Sequence, residues 1–209
     1  MLTPDDQRSD GQFTSYLGQA PKWRRYDAEL FDILAEAVPS GRNLGHVGGR
    51  QILPGAILID TVVPDSRALR AKYFADVQSS LHDAALVFFD PDNGIEIESC
   101  PPGRKNSSKY LAWSEIAATY NSGRSVLIYQ HFPRKNRETY IRDVAQQLVE
   151  RTDARAVSCF STANVAFFLV SRPEHEEALR RASEKFGFRW AGQVVLSRHS
   201  ALQESQHGN

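Results

Sequence analysis

The chain has 209 residues, with 25 Lys plus Arg against 25 Asp plus Glu. That balance excludes a global positive field that would draw the protein onto nucleic acid, so any such role must rest on a local patch. A content of 41% hydrophobic and 24% charged residues excludes a disordered or fibrous chain and predicts a packed core. No apolar run approaches the roughly 18–20 residues needed to span a bilayer, and residues 1–10 are acidic and polar, so neither a membrane segment nor an export signal is expected. Cys100 and Cys159 are the two cysteines; without a CxxC pair they read as reduced thiols of a cytoplasmic protein.

Tyr26, Leu30, Leu34 and Val38 recur every four residues, which predicts a helix over 24–38, ended by Pro39-Ser40-Gly41. A glycine-rich stretch, 41–49, leads to the apolar run 56–59, which predicts a buried strand stopping at Asp60. From Ser66, which can cap a first turn, Leu69, Tyr73, Val77 and Leu81 predict a second helix. Residues 84–89 are continuously apolar and predict a central parallel strand covered on both faces. A short helix is expected over 112–121 and another buried strand over 125–129. Tyr140, Val144 and Leu148 mark the helix after it. Strands at 156–160 and 165–170 are separated by so few residues that they can pair only antiparallel. A last helix over 174–186, with Leu179, Ala182 and Phe186 inward, precedes a terminal strand at 189–196. The expected fold is α/β, a three-layer, mostly parallel open sheet with helices on both faces and a C-terminal antiparallel hairpin. One domain is expected over 1–198, with a polar tail at 199–209.

Ligands of such sheets bind beyond the carboxyl ends of strands, which singles out two segments. In the first, Asp90-Pro91-Asp92-Asn93-Gly94 follows four apolar residues. As a plain turn it makes sense, since Pro fixes φ and Asn and Gly tolerate positive φ. A turn does not require two acids, however, and carboxylates so close raise a pKa or attract a cation. In the second, Gln130-His131-Phe132-Pro133-Arg134 follows another apolar run, and its polar groups should emerge at the same edge of the sheet. His131 suits a general base or a structural hydrogen bond, and Arg134 suits a bidentate hold on phosphate. Asp90, Asp92, Asn93, His131 and Arg134 are therefore the candidate catalytic residues. Pro91, Lys109, Tyr110, Trp113 and Gln130 are the candidate substrate contacts. Arg104, Lys105, Lys109 and residues 134–137 form a local basic cluster, or simply solvated loop cations. The long connection 95–109 is expected to be a mobile lid, with Tyr110 and Trp113 behind it available to stack on a ring or to pack a helix.

The blocks LVFFDPDNG (86–94), Ser108-Lys109-Tyr110 with Trp113, and YQHFPR (129–134) resemble a group of bacterial proteins of unknown activity. Over roughly 84–170 the layout also resembles the distal half of class I S-adenosylmethionine-dependent methyltransferases, most nearly the ribosomal RNA adenine-N6 type. There an Asp-Pro-Pro-Tyr motif ends a strand and an antiparallel hairpin closes a Rossmann-like sheet. The resemblance implies a methyltransferase-like enzyme acting on nucleic acid or a nucleotide, with Asp90 and the Pro91 carbonyl receiving the amino group. It departs from the family at Asp92, where the second proline would stand, and at Asn93, where the stacking aromatic would stand. S-adenosylmethionine would be held by Gly45, Gly48, Gly49 and the acid Asp60, although these glycines follow a helix rather than a strand. The alternatives are a Mg²⁺-dependent nuclease or phosphoryl-transfer enzyme using Asp90, Asp92 and Glu96, or a non-catalytic binding protein. A phosphatase with Asp90 as nucleophile is a further reading, but it lacks the downstream acidic pair.

Overall fold

A computed structural model of the chain describes Thr3 and residues 14–40 and 55–200. These fall into two compact units, one within residues 2–62 and one from Val63 onward. No helix among the described residues is long and apolar enough to cross a membrane.

In the first unit a 3₁₀ turn, Ser15–Gly18, precedes the short helix α1, Ala20–Trp23, and then α2, Ala28–Ser40. The Asp27 carboxylate accepts the Leu30 amide at 3.0 Å, which starts α2 four residues later than periodicity suggests. The expected strand at 56–59 does not form. Those residues are irregular, and Ile57 and Leu58 are exposed, because an apolar run becomes a strand only when a neighbouring strand takes up its backbone hydrogen bonds.

The second unit holds α3 (Arg67–Ser80), β1 (Leu86–Phe89), β2 (Gly94–Ile95), β3 (Tyr110–Leu111), α4 (Trp113–Asn121), β4 (Ser125–His131), α5 (Arg137–Thr152), β5 (Ala156–Ser161), β6 (Val165–Val170), α6 (Glu176–Arg189) and β7 (Val195–Ser200). Five strands form one sheet in the order β1-β4-β6-β5-β7, and β2 and β3 form a small parallel pair beside it. Only β1 and β4 pair in parallel within the large sheet; β4–β6, β6–β5 and β5–β7 are antiparallel. The sheet is thus mixed, not mostly parallel. The hairpin folds β6 back against β4, and β7 adds a further antiparallel strand at Val195–Ser200, six residues later than expected and into the segment taken for a tail.

One sheet face is dry. Val87, Phe89, Val126, Ile128, Val157, Cys159, Phe168 and Val170 all point there and are buried. Burial pushes the Cys159 thiol up to about 12. The Phe74 ring of α3 meets Phe89 on this side at 6.5 Å, and α5 covers β5 and β6. On the other face α6 lies over the far strands, its Phe186 against Phe160 at 5.5 Å. β1 departs from expectation: among the described residues it pairs only with β4, and Leu86 and Phe88 are 40% and 52% exposed. It is an edge strand with one solvated face, not a central one.

The inward stripe of α3 starts with a charge. Leu69 is exposed, whereas Arg70 is 2% exposed. The Arg70 guanidinium donates to both Glu115 oxygens, at 2.5 and 2.8 Å, and to the carbonyls of Ser107 (2.7 Å) and Tyr110 (2.6 Å). The Asp65 carboxylate accepts the amides of Asn106 (2.8 Å) and Ser108 (2.7 Å). Burial acts to raise its pKa, but the bonds from Ser108 and Asn106 outweigh it and hold the carboxyl below its usual value. The 95–109 connection is therefore pinned at its C-terminal end by two buried or half-buried charges and does not have the loose attachment of a lid. Arg70→Met should cost about 3–5 kcal/mol in urea unfolding, with part of the loss returned by adding Glu115→Leu. A single variant that unfolds at the wild-type urea concentration would show that this guanidinium is not the anchor.

Candidate functional site

β1 and β4 run side by side in parallel with Phe89 opposite Ile128. The next residue on each strand, Asp90 and Tyr129, therefore comes to the same edge and the same, solvated face. Gln130 and His131 belong to β4 itself, opposite Ala166 and Val165 of β6, so the second segment begins inside the sheet rather than after it. The two segments picked out by sequence lie next to one another.

Asp90 keeps contact with solvent, yet enough protein surrounds it that burial raises its pKa. The nearby Asp92 charge adds to the rise, and His131 opposes it. Pro91 is fully buried, and its carbonyl accepts the Gly94 amide at 3.3 Å, closing a turn with Asp92 and Asn93 exposed at its tip. Gly94 has φ of +89°, and a Cβ on it would overlap the Gln130 amide. Asn93 donates its backbone N–H to the Lys109 carbonyl at 2.9 Å, which ties the turn to the pinned connection. Burial also raises the Tyr129 phenol, and the Asp90 charge beside it contributes.

Gln130 acts as the clasp between the two segments. Its side chain is buried; Oε1 accepts the Ile95 amide at 2.8 Å and Nε2 donates to the His131 carbonyl at 2.9 Å. The Tyr140 hydroxyl bonds the same amide, and burial pushes that phenol up to about 12. Gln130 was expected to touch substrate, but its polar atoms are committed to the protein, and its work is positioning. His131 is exposed with its ring 4.8 Å from Tyr129, edge-on. Arg134 and Lys135 are exposed in the turn before α5. Arg137 lies with its guanidinium 5.6 Å over the Phe132 ring.

The other expected contacts scatter. Lys109 is half-buried, and Tyr110 is held in β3 by its pairing with Gly94. Trp113 opens α4 with its amide donated to Glu96 at 2.9 Å, and Arg151 lies 4.7 Å over its ring. Gly45, Gly48 and Gly49 lie outside the described residues. Asp60 is exposed and follows an irregular stretch, so the strand-end acid expected to hold a ribose is not formed. The described residues thus do not fit S-adenosylmethionine at Asp60. Nor do they fit Mg²⁺: among them no group of three or more His, Cys, Asp or Glu side chains converges as a metal-ligand set, and Glu96 is turned to the Trp113 amide.

Sequence reasoning missed the rings beside Asp90. Phe88, Tyr129 and Phe167 share its face, with Phe88–Phe167 centroids at 6.4 Å and Tyr129–Phe167 at 5.2 Å. The alternation of β1 held the signal, because a residue two before Asp90 must share its face; the unbroken apolar run hid it. Comparison of the chain with protein-family models, curated proteins and solved structures finds no match.

Two outcomes follow from this geometry. Gly94→Ala should lower stability by more than about 1 kcal/mol, since it combines positive φ with overlap, and Gln130→Ala by about 1–3 kcal/mol, since it strands the Ile95 amide; chemical denaturation measures both. Asp90 should behave in the opposite sense. Its native pKa lies above the ordinary 3.8, so ionisation disfavours the folded state as pH rises through the native value. Asp90→Asn should then raise the melting temperature near pH 7, with the gain fading as pH falls toward about 4. A variant that melts lower at neutral pH would show that burial of the Asp90 charge does not oppose folding.

Proposed function

We propose that the chain is a methyltransferase-like enzyme acting on the amino group of a nucleobase, carried by a nucleotide or nucleic acid, with the β1–β4 rim as its substrate site. The observation that carries this reading is Asp90, a carboxylate set one residue beyond a rigid strand and beside a row of rings. An ionised carboxylate only accepts hydrogen bonds, so its ligands are N–H or O–H donors, and an exocyclic amino group offers two donors in the plane of a ring. Methyl transfer to such a group needs orientation and charge placement with little acid–base help. Gln130 and the buried Pro91 supply rigidity where that orientation is set.

The succession of an acidic turn, a parallel neighbour and an antiparallel hairpin supports the same reading. Exposed Arg104, Lys105, Arg134 and Lys135 suit the phosphates that accompany a base. Asn93 cannot supply the stacking ring of the Asp-Pro-Pro-Tyr motif, so the base must be gripped differently here. S-adenosylmethionine is the donor this reading implies, held by residues other than Asp60.

Isothermal titration of the full chain with S-adenosylmethionine and with adenosine monophosphate is the direct test. Both should bind saturably, and Asp90→Ala should weaken the nucleotide at least about tenfold, the scale of one charge-assisted hydrogen bond, while leaving S-adenosylmethionine unchanged. No heat from S-adenosylmethionine at millimolar concentration would remove methyl transfer and leave an amino-group-binding protein. No heat from the nucleotide or from a short single strand would remove the reading altogether.

A further inference from the structure

The solvated face of β1, β4 and β6 carries a feature that the carboxylates do not explain. Leu86 and Phe88 on β1 project there, and Phe88 is more than half exposed. An exposed phenylalanine on a four-residue edge strand leaves about half of its apolar surface in water, where polar residues are the usual occupants. The rings are also ordered. Phe88 and Phe167 lie with their planes 31° apart and centroids at 6.4 Å. Tyr129 meets Phe167 at 68° and His131 meets Tyr129 at 86°. Phe88 and Phe167 thus make a shelf, Tyr129 stands edge-on beside Phe167, and His131 stands edge-on to Tyr129. Asp90 follows Phe88 by two residues and so borders the same face.

Resting on the amino-group reading above, we propose that the nucleobase lies flat on this shelf of Phe88 and Phe167, bordered by Tyr129 and His131, with its amino edge turned to Asp90. The stacking partner is then supplied by three strands of the sheet and not by a ring in the acidic turn. The occupant is argued from complementarity. Partly exposed rings take a planar π-face of any base, and the carboxylates of Asp90 and Asp92 at the border take N–H donors. Adenine and cytosine present an amino group there, whereas uracil presents a carbonyl that two acids repel. Neither Trp113, whose ring carries Arg151, nor Tyr110, fixed in β3, stands in this row.

The experiment titrates the full chain with adenosine, cytidine and uridine monophosphates, and separately with a short single-stranded oligonucleotide, while following ligand proton resonances by NMR. Ring stacking should move the base protons upfield, and uridine monophosphate should bind least. Phe88→Leu and Phe167→Leu keep apolar bulk, and unchanged melting would confirm their folding. Each should weaken binding on the order of tenfold and reduce the upfield shift. If Asp90→Asn weakens the amino nucleotides and both leucine variants bind as wild type, the shelf is overturned and the amino-group reading stands. If the leucine variants lose affinity while Asp90→Asn and uridine monophosphate show no difference, the amino edge is not read and the proposal fails in its orientation. No shift with any ligand at millimolar concentration overturns both. Binding of the oligonucleotide alone would assign the base to nucleic acid, and binding of mononucleotides would assign it to the nucleotide pool; either supports the shelf.

Discussion

The arrangement around the acidic turn depends on a cation that has been taken out of water. Burying a guanidinium costs several kcal/mol unless each donor finds an acceptor, and Arg70 finds Glu115 and two backbone carbonyls. Those carbonyls belong to Ser107 and Tyr110, on either side of Lys109, whose own carbonyl receives the Asn93 amide. A chain of hydrogen bonds therefore runs from the core of α3, through the connection, to the turn that holds Asp92. The connection is long, but its far end is fixed by charge.

The other half of the rim is fixed by an amide. Gln130 points into the dry face of the sheet, where a residue of its kind is tolerated only if its donors and acceptor are satisfied. Ile95 and His131 satisfy them, and in doing so join the segment after β1 to the end of β4. Gly94 is required because nothing larger fits beside that amide. The polar groups at the surface thus rest on a support whose members have little freedom, as precise placement of a reacting group requires.

Much of this was legible in the sequence, and the failures share a cause. The helices over 67–80, 113–121 and 137–152 and the hairpin at 156–170 follow local periodicity, and the two site segments are neighbours as expected. β1 was read as central because Leu86 and Phe88 are apolar; whether a strand has one neighbour or two is decided by the rest of the chain, not by its own residues. The apolar run at 56–59 forms no strand for a related reason. The inward stripe of the helix after Ser66 was read through Leu69 and Tyr73, although Arg70, Phe74, Val77 and Leu81 fall at helical spacing too; Arg70's partner Glu115 lies 45 residues away, beyond the reach of any local pattern. Gln130 was read as a ligand contact because a polar residue at a strand end looks available, and only the register shows that its side chain turns inward.

Both outer strands of the sheet, β1 and β7, have one neighbour each among the described residues. β7 carries Arg198 and His199 along its length, but β1 is Leu-Val-Phe-Phe with no charge and no proline. Its unpaired N–H and C=O groups form a ready template for another extended chain, and its aromatic side chains would reinforce such pairing. The same four residues that set Asp90 in place thus make the more adhesive of the sheet's two outer strands among the described residues, the one at which crowded copies would favour cross-molecule β-pairing over β7.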